Sequence, residues 1–457
     1  MNTREQIRLP LLQELVEGKR HGWITNPESV MVVMYQHYLR TTVDLVLSMV
    51  ELGVPADQIY CCGKNYSYNE EVHQHLLAMG IKSYGCPVVE IPGTSRANML
   101  RLMQHMLKVA SEHCRTQRLA TVVIISDGIL AVEEAIDEDW GSAKLAGVLQ
   151  TGSAHYSVGQ LSKPIPLVDI AYSAAKSKLE LPLIADLAVS VIQEIINNLQ
   201  EVNSVGVVGM GNLGSNIFAR MRAACPDLTI SCHGSSADTG AHSFEKPFKQ
   251  LLEYSDLIIG CCGRDVFVNQ SGVVDDILRG KLGSKTFASV SSGDYEFLTL
   301  LRRGADAGGW RKIDQDNDEV HATLLYPSLN SKYGIRVIKG GYPINFNRTG
   351  TSLDERFVQL TRALLLAAFV QATNIARVCP EGEADPTKFV TVLDAQVQCE
   401  IVSAFFRIAD PNNETFSAEI HDRFRDVTWV EQHSKYRYYE DKPVTDGATC
   451  SIQIGST

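Results

Sequence analysis

Three glycines, Gly209, Gly211 and Gly214, follow the β-branched run Val205 to Val208 and precede the apolar-periodic stretch Ile217 to Met221. A strand, a glycine turn and a helix in that order make a cradle for a dinucleotide pyrophosphate. In that role Gly209 permits the tight turn, Gly211 lets backbone approach phosphate, and Gly214 lets the helix pack close to the strand, with Asn212 and Leu213 completing the loop. The same spacing also serves a plain strand-to-helix turn, so the glycines alone leave both readings open. Asp127, in Ser126-Asp127-Gly128, follows the apolar run Ala120 to Ile125 and so stands at the carboxyl end of a predicted strand, where α/β proteins bind ligands. Aspartate before glycine is equally ordinary turn chemistry.

The elements that must hold these residues follow from periodicity. Ser29 to Tyr35 reads as a strand, Thr41 to Leu52 as a helix, Gln58 to Cys62 as a strand, Glu70 to Met79 as a helix, Val88 to Ile91 as a strand, Ala97 to His113 as a helix and Ala120 to Ile125 as a strand. From Ser142 to Ser162 the pattern loosens, and Leu179 to Leu199 then runs as one helix interrupted at Pro182. A second alternation begins at Val205, with strands at Leu228 to Cys232, Leu257 to Gly260 and Thr286 to Val290, a helix at Phe248 to Tyr254 and a last strand at Arg336 to Ile338. Leu353 to Ala376 forms a long helix, and the chain from Pro380 is helical, then polar. Alternating strands and helices predict an α/β protein of two Rossmann-like, doubly wound parallel sheets with a C-terminal helical tail. The expected units are a substrate-binding domain at 1–185, a dinucleotide-binding domain at 186–345, helices returning to the first domain at 346–379, and a tail at 380–457.

At 457 residues the chain exceeds what one core usually supports, in keeping with two domains. A formal net charge of -11 argues against nucleic acid or an anionic membrane surface as the main partner. Eleven cysteines, some in adjacent pairs such as Cys61-Cys62 and Cys261-Cys262, suit neither a disulfide framework nor a metal site and read as reduced, buried thiols. The amphipathic start MNTREQIRLPLLQEL has no apolar signal core, and no later run reads as a membrane span. A cytoplasmic protein acting on a small molecule is the expectation.

Upstream of the glycines, Ala175-Lys176-Ser177-Lys178-Leu179-Glu180 resembles the Lys-Ser-Lys-Phe-Asp-Asn stretch that adenosylhomocysteinases (S-adenosylhomocysteine hydrolases) carry ahead of their glycine-rich strand. Other short motifs match the same family between about residues 30 and 375. His37, ahead of a helix ending Glu51-Leu52-Gly53, resembles the family histidine; Asn65-Tyr66-Ser67 resembles Asn-Ile-Phe-Ser; Ser126-Asp127-Gly128 resembles Asp-Asp-Gly. Gly293-Asp294-Tyr295-Glu296 resembles Phe-Asp-Val-Glu, and Gly341-Tyr342-Pro343-Ile344-Asn345 resembles Gly-Arg-Leu-Val-Asn. The family holds NAD, oxidises a ribose hydroxyl, eliminates and adds at the neighbouring carbon, and returns the hydride. The resemblance implies that Lys176 with Glu180 handles the hydroxyl proton, that Asp127 orients, and that His37 acts near the leaving group. It also implies cofactor contacts at Cys232, Gly263 and Asn345 besides the glycine loop, substrate contacts at Ser67 and Asn69, and a homo-oligomer, dimer or tetramer. Taken singly, Lys176 reads equally as a surface lysine, His37 as a core histidine and Glu180 as a solvated first-turn carboxylate.

The departures from the family point to a changed ligand. Its adenine-binding glutamate falls on or near Thr41, its Glu-Glu-Thr-Thr-Thr loop becomes Leu149-Gln150-Thr151-Gly152-Ser153, and its flanking asparagines become Ala171 and Leu181. Its loop histidine becomes Ser292, and its Gly-His-Pro gate shortens to Asn347-Arg348-Thr349-Gly350, where Arg348 would suit a carboxylate or phosphate of the ligand. The second strand of the cofactor domain ends Ser231-Cys232-His233-Gly234 without the acid that binds the ribose of NAD, so NAD is expected from the resemblance and NADP is its alternative. The leading expectation is an NAD-dependent enzyme that oxidises a secondary hydroxyl of a substrate other than S-adenosylhomocysteine. A catalytically silent NAD-binding regulatory paralogue and a plain NAD(P)-dependent dehydrogenase are the alternatives. Lys435 and Tyr436 to Tyr439 resemble the family's C-terminal lysine and tyrosine, which reach a neighbouring subunit.

Overall fold

The computed structural model describes residues 8–19, 23–85, 95–199, 201–234, 247–268, 270–291, 295–313, 322–327, 334–346, 354–378, 389–412 and 414–434. In chain order the strands are β1 (Val30–Gln36), β2 (Ile59–Gly63), β3 (Lys82–Tyr84), β4 (Thr121–Ser126), β5 (Lys144–Leu149), β6 (Leu167–Asp169), β7 (Ser204–Val208), β8 (Thr229–His233), β9 (Leu257–Gly260), β10 (Lys285–Ser289), β11 (Arg311–Lys312), β12 (Leu324–Tyr326), β13 (Ile335–Val337) and β14 (Val390–Val392). They form two seven-stranded sheets, one ordered β14-β6-β5-β4-β1-β2-β3 and the other β11-β12-β13-β10-β9-β7-β8. The first sheet is parallel throughout; in the second β12 alone runs against the others, pairing antiparallel with β11 and with β13. The α/β, doubly wound architecture is therefore as the alternation predicts.

Each sheet has a point where the strand order reverses. In the first it lies between β1 and β4, and in the second between β7 and β9. Crevices open there at the carboxyl ends of the strands, because the flanking helices diverge to opposite faces. His37 follows β1, Asp127 follows β4, and the glycine loop follows β7, so the sequence-marked residues gather at both reversal points.

The first sheet is coated on both sides, which explains why β1 is buried at every position and runs without polar alternation from Val30 to Tyr35. Val30, Val32 and Met34 pack into a core with helices Pro10–Lys19, Arg40–Glu51, Glu355–Val378 and Ala395–Ala409. Met31, Val33 and Tyr35 pack on the other side against helix Ser95–Gln117. Glu355–Arg377 is long and apolar enough to cross a membrane, contrary to the sequence reading. Most of that stretch is instead buried against this sheet, which accounts for its apolar character.

β3, β5 and β6 are strands the sequence does not announce. β3 and β6 are three residues long. β5 carries Lys144, Ala146 and Gly147, poor strand formers, and a Cβ at Gly147 would come within 2.6 Å of Leu167 Cδ2, so glycine sets the spacing to β6. The strand expected at Val88 to Ile91 and the aromatic tail at 435–439 lie outside the described residues. Residues 389–434, read from sequence as the start of a tail, belong to the first sheet's layers: β14 pairs with β6, and helix Ala395–Ala409 buries Ile401, Val402 and Phe405.

Candidate functional site

The glycines of the cradle are separated by what each one touches. Gly209 has φ +98, and a Cβ there would meet the Cys262 Sγ and the Cys261 carbonyl carbon at 2.7 and 2.8 Å. A Cβ on Gly214 would lie 1.8 Å from the Gly209 oxygen. At Gly211, which starts helix Asn212–Ala224, a Cβ would meet nothing within 4 Å. Two glycines are thus dictated by the fold, whereas the middle one faces open space at a helix N-terminus, where partly unpaired N–H groups favour an anion. Asn212 and Leu213 form the first helical positions, and Cys232 on β8 packs under the loop with Val207 and Met210.

Across the crevice, Gly263 (φ +66) and Cys262 turn their N–H groups onto the buried carboxyl of Glu296, at 3.0 and 2.5 Å. A Cβ at Gly260 would fall 2.1 Å from Glu296 Cγ, so glycine makes room for this carboxyl beneath the β9 turn. Burial pushes the Glu296 pKa up from 4.5 to about 7, against the pull of its N–H donors and Ser291. Gly263 also approaches the first domain: its Cβ position lies 3.2 Å from Ser153 Cβ.

Asn345 sits in a turn where the domains meet. Ile344 N donates to Ser289 O at 2.9 Å, and Lys339, itself at φ 48, donates from Nζ to the carbonyls of Ile344 and Phe346 at 2.7 Å each. Phe346 then stacks on His37 with ring centroids 4.3 Å apart, and Tyr342 OH accepts from Asn65 Nδ2 at 2.7 Å. The Asn345 Oδ1 atom is buried without a hydrogen-bond partner among the described residues. A buried acceptor left unmatched costs about 1–3 kcal/mol, so it marks a place where a bound donor belongs.

On the first domain, Asp127 pairs with Lys64 Nζ at 2.7 Å from Oδ1 and with His37 Nε2 at 2.7 Å from Oδ2. Burial raises the Asp127 carboxyl, but the charges and hydrogen bonds of Lys64 and His37 outweigh it and hold the group far below the ordinary carboxylate range. Burial also lowers the His37 pKa, with Lys64 and Arg362 adding to the effect and Asp127 opposing it. A neutral imidazole that donates from Nε2 to a carboxylate must accept at Nδ1, so the Ser67 hydroxyl, 2.7 Å away, donates to it. Serine, histidine and aspartate thereby form a buried hydrogen-bonded chain. Asn69 instead caps helix Glu70–Ala78, accepting from Val72 N at 3.1 Å.

Lys176 and Glu180 lie on a π turn, Lys176–Glu180, that runs into helix Leu181–Leu199. Pro182 explains it: proline offers no N–H to the carbonyl four residues back and crowds that carbonyl, so the helix widens instead of breaking. Lys176 Nζ reaches the Glu180 Oε2 at 3.0 Å. Backbone N–H groups of Ala174 and Ala175 donate to Ser434 Oγ and Gln398 Oε1, at 2.9 and 3.3 Å, so C-terminal residues fix the start of this turn.

Sequence reasoning missed Lys64, Gln36, Gln150 and Arg362. Gln36 Nε2 donates to Gln150 Oε1 at 2.8 Å, Gln150 Nε2 reaches Asp127 at 3.4 Å, and Arg362 donates to Gln36 Oε1 from Nη1 and to Thr41 Oγ1 from Nε, at 3.3 and 3.1 Å. Arg362 is 2% exposed and directly precedes the apolar run 363–370 of its helix, and a cation at the head of that run is the signal the sequence offers. The structure thus brings together His37, Asp127 and Ser67, pairs Lys176 with Glu180, and sets Asn345 beside His37 through Phe346. Arg348 lies outside the described residues.

No family model matches the chain. Uncharacterized proteins Rv0104 and MT0113 of two Mycobacterium tuberculosis strains are 25% identical to it over 405 residues, spanning 88% of this chain and 74% of theirs. Among solved structures, a pyruvate reductase of Chlamydomonas reinhardtii (11% identity, TM-score 0.36, 79% of this chain and 100% of that one) and an NADPH-dependent glyoxylate/hydroxypyruvate reductase of Sinorhizobium meliloti (10%, 0.36, 78% and 96%) are similar. Dipicolinate synthase A chain of Bacillus subtilis is similar at 11% identity and TM-score 0.29, over 76% of this chain and 95% of that one. Similarity this distant says nothing of the ligand.

Proposed function

We propose that the chain is an NAD-dependent enzyme, built on the plan of adenosylhomocysteinase, that oxidises a secondary hydroxyl of a small molecule held between its two sheets. The observation that carries this reading is the glycine geometry: Gly209 and Gly214 have no room for a side chain, while Gly211 faces open space at the N-terminus of Asn212–Ala224. The orphaned Asn345 Oδ1 supports it, because a carboxamide N–H of a nicotinamide would satisfy that atom. These residues fit a dinucleotide, with Gly211 and its helix at the pyrophosphate and Asn345 at the ring amide. Bound NAD supplies a hydride acceptor for the carbon that carries the hydroxyl.

The chain supplies the proton chemistry and the walls. Lys176, 3.0 Å from Glu180, gives an ammonium proton to that carboxylate, and the resulting amine receives the hydroxyl proton as the carbonyl forms. His37, fixed by Asp127 and stacked under Phe346, exchanges a proton through Ser67 at the neighbouring position. Thr41 bonded to Arg362 stands where the family resemblance calls for an adenine-binding glutamate, which disfavours S-adenosylhomocysteine. The decisive variant is Lys176→Ala. It is expected to keep bound cofactor, measured by native mass spectrometry, while slowing substrate-dependent cofactor reduction about 10²- to 10⁴-fold. Unchanged reduction in Lys176→Ala would overturn the assignment.

A further inference from the structure

Arg362 is the largest fully buried side chain in the described structure, and its bonding is incomplete. Its Nε and Nη1 donate to Thr41 Oγ1 and Gln36 Oε1, both neutral, and Nη2 has no acceptor among the described residues. No carboxylate stands within salt-bridge distance of it among those residues, although buried guanidinium groups normally have one. The two carboxylates whose charge it feels, Asp127 and Glu180, are each engaged by an ammonium: Lys64 at 2.7 Å and Lys176 at 3.0 Å. With His37 neutral, the cluster therefore holds three cations, Lys64, Lys176 and Arg362, against two carboxylates, a surplus of one positive charge. Gln36 ties Arg362 through Gln150 to Asp127 and so to the His37–Ser67 chain, which places the surplus in the same cleft.

We propose that Arg362 is a specificity residue that binds an anionic group of the substrate, making the substrate class a hydroxy acid or phosphorylated alcohol rather than a neutral alcohol or nucleoside. The assignment rests on the cleft being the substrate site of the proposed enzyme. A planar guanidinium with a free edge takes a carboxylate or phosphate oxygen at close range, and the incoming negative charge balances the cluster. Gln36 and Thr41, the partners it touches, are neutral, and Asp127 and Glu180 act on it only from beyond ion-pair distance, so no carboxylate among the described residues occupies its free edge.

The test uses the full chain with NAD added, titrated calorimetrically with glycolate, acetate and inorganic phosphate, and with glycolamide as the neutral match. At least one anion of the panel should bind 10- to 100-fold more tightly than glycolamide. Arg362→Met should erase the preference. Thr41→Glu, which places a carboxylate of the protein beside the guanidinium, should erase it too while keeping Arg362. An absence of any anion preference in the wild-type chain overturns the proposal, and so does a preference that survives in either folded variant; should Arg362→Met fail to fold, Thr41→Glu and the wild-type comparison decide. NAD retention is read by native mass spectrometry on the same samples. Loss of NAD binding in the wild type counts against the proposed enzyme, whereas retained NAD without anion preference counts against Arg362 alone.

Discussion

Adding a methyl group at residue 211 and adding one at residue 214 should have opposite consequences, and the contrast separates architecture from ligand binding. Gly214→Ala forces a Cβ into the Gly209 carbonyl and is expected to cost about 2–3 kcal/mol in chemical denaturation. Gly211→Ala is tolerated by its φ of -67 and by the empty space around it, so stability should stay within about 0.5 kcal/mol of wild type. Its methyl group nevertheless stands where a phosphate approaches, so NAD affinity should fall at least about tenfold in a titration. Glu296 gives a pH signature at the same scale. Its folded pKa of about 7 lies above the ordinary 4.5, so between those values the folded chain holds the proton that the unfolded chain has lost. Its contribution is thus fully present below about pH 4.5 and lost as pH rises through 7, by on the order of 3 kcal/mol. Denaturation at pH 5 and pH 8 should show this difference in wild type and a flatter profile in Glu296→Gln; identical profiles would contradict it.

At the scale of elements, the π turn at Lys176–Glu180 is the part of the site that a regular helix cannot supply. Pro182→Ala restores the missing N–H and lets the helix tighten, so the chain should melt at a higher temperature while substrate-dependent reduction falls, because Lys176 and Glu180 turn to new directions. Higher stability with full activity would show that the wide turn has no part in positioning them. The sequence marked this place through Lys176, Glu180 and Pro182, but Pro182 reads as an interruption rather than as the cause of a π turn. Strands of continuous β-branched or apolar residues, such as β1 and β4, were legible because both faces of a parallel sheet are buried. β5 and β6 were not, because their pairing depends on Gly147 approaching Leu167 and not on strand propensity. Lys64 carried no signal, and the position of Arg362 beside an apolar run did not say what it meets: only the meeting of β1, β2, β4 and a helix more than 300 positions away gathers the two cations into one cluster.

At the scale of the molecule, distant segments converge on the start of the Lys176–Glu180 turn. Gln398 and Ser434 hold the N–H groups of Ala174 and Ala175, while β14 closes the edge of the first sheet beside β6. A chain ended at residue 388 should therefore lose its cooperative unfolding transition for the first domain, seen by calorimetry, and lose Lys176-dependent chemistry with it. Gln398→Ala should retain the fold and lower the rate of reduction. The two-sheet plan and the strand-to-helix setting of the glycine loop followed from alternation and spacing in the sequence, whereas the strand order, and with it the reversal points, did not. The charge balance of the cleft did not, since it is set by residues that only tertiary structure gathers. The central claim is that the crevice beside Gly211 and Asn345 holds a nicotinamide dinucleotide. Native mass spectrometry of the full chain with NAD and with NADP tests it most directly: one dinucleotide per chain, lost in Gly211→Ala while the fold survives, is the predicted result, and a chain that stays at its bare mass with both cofactors would contradict it.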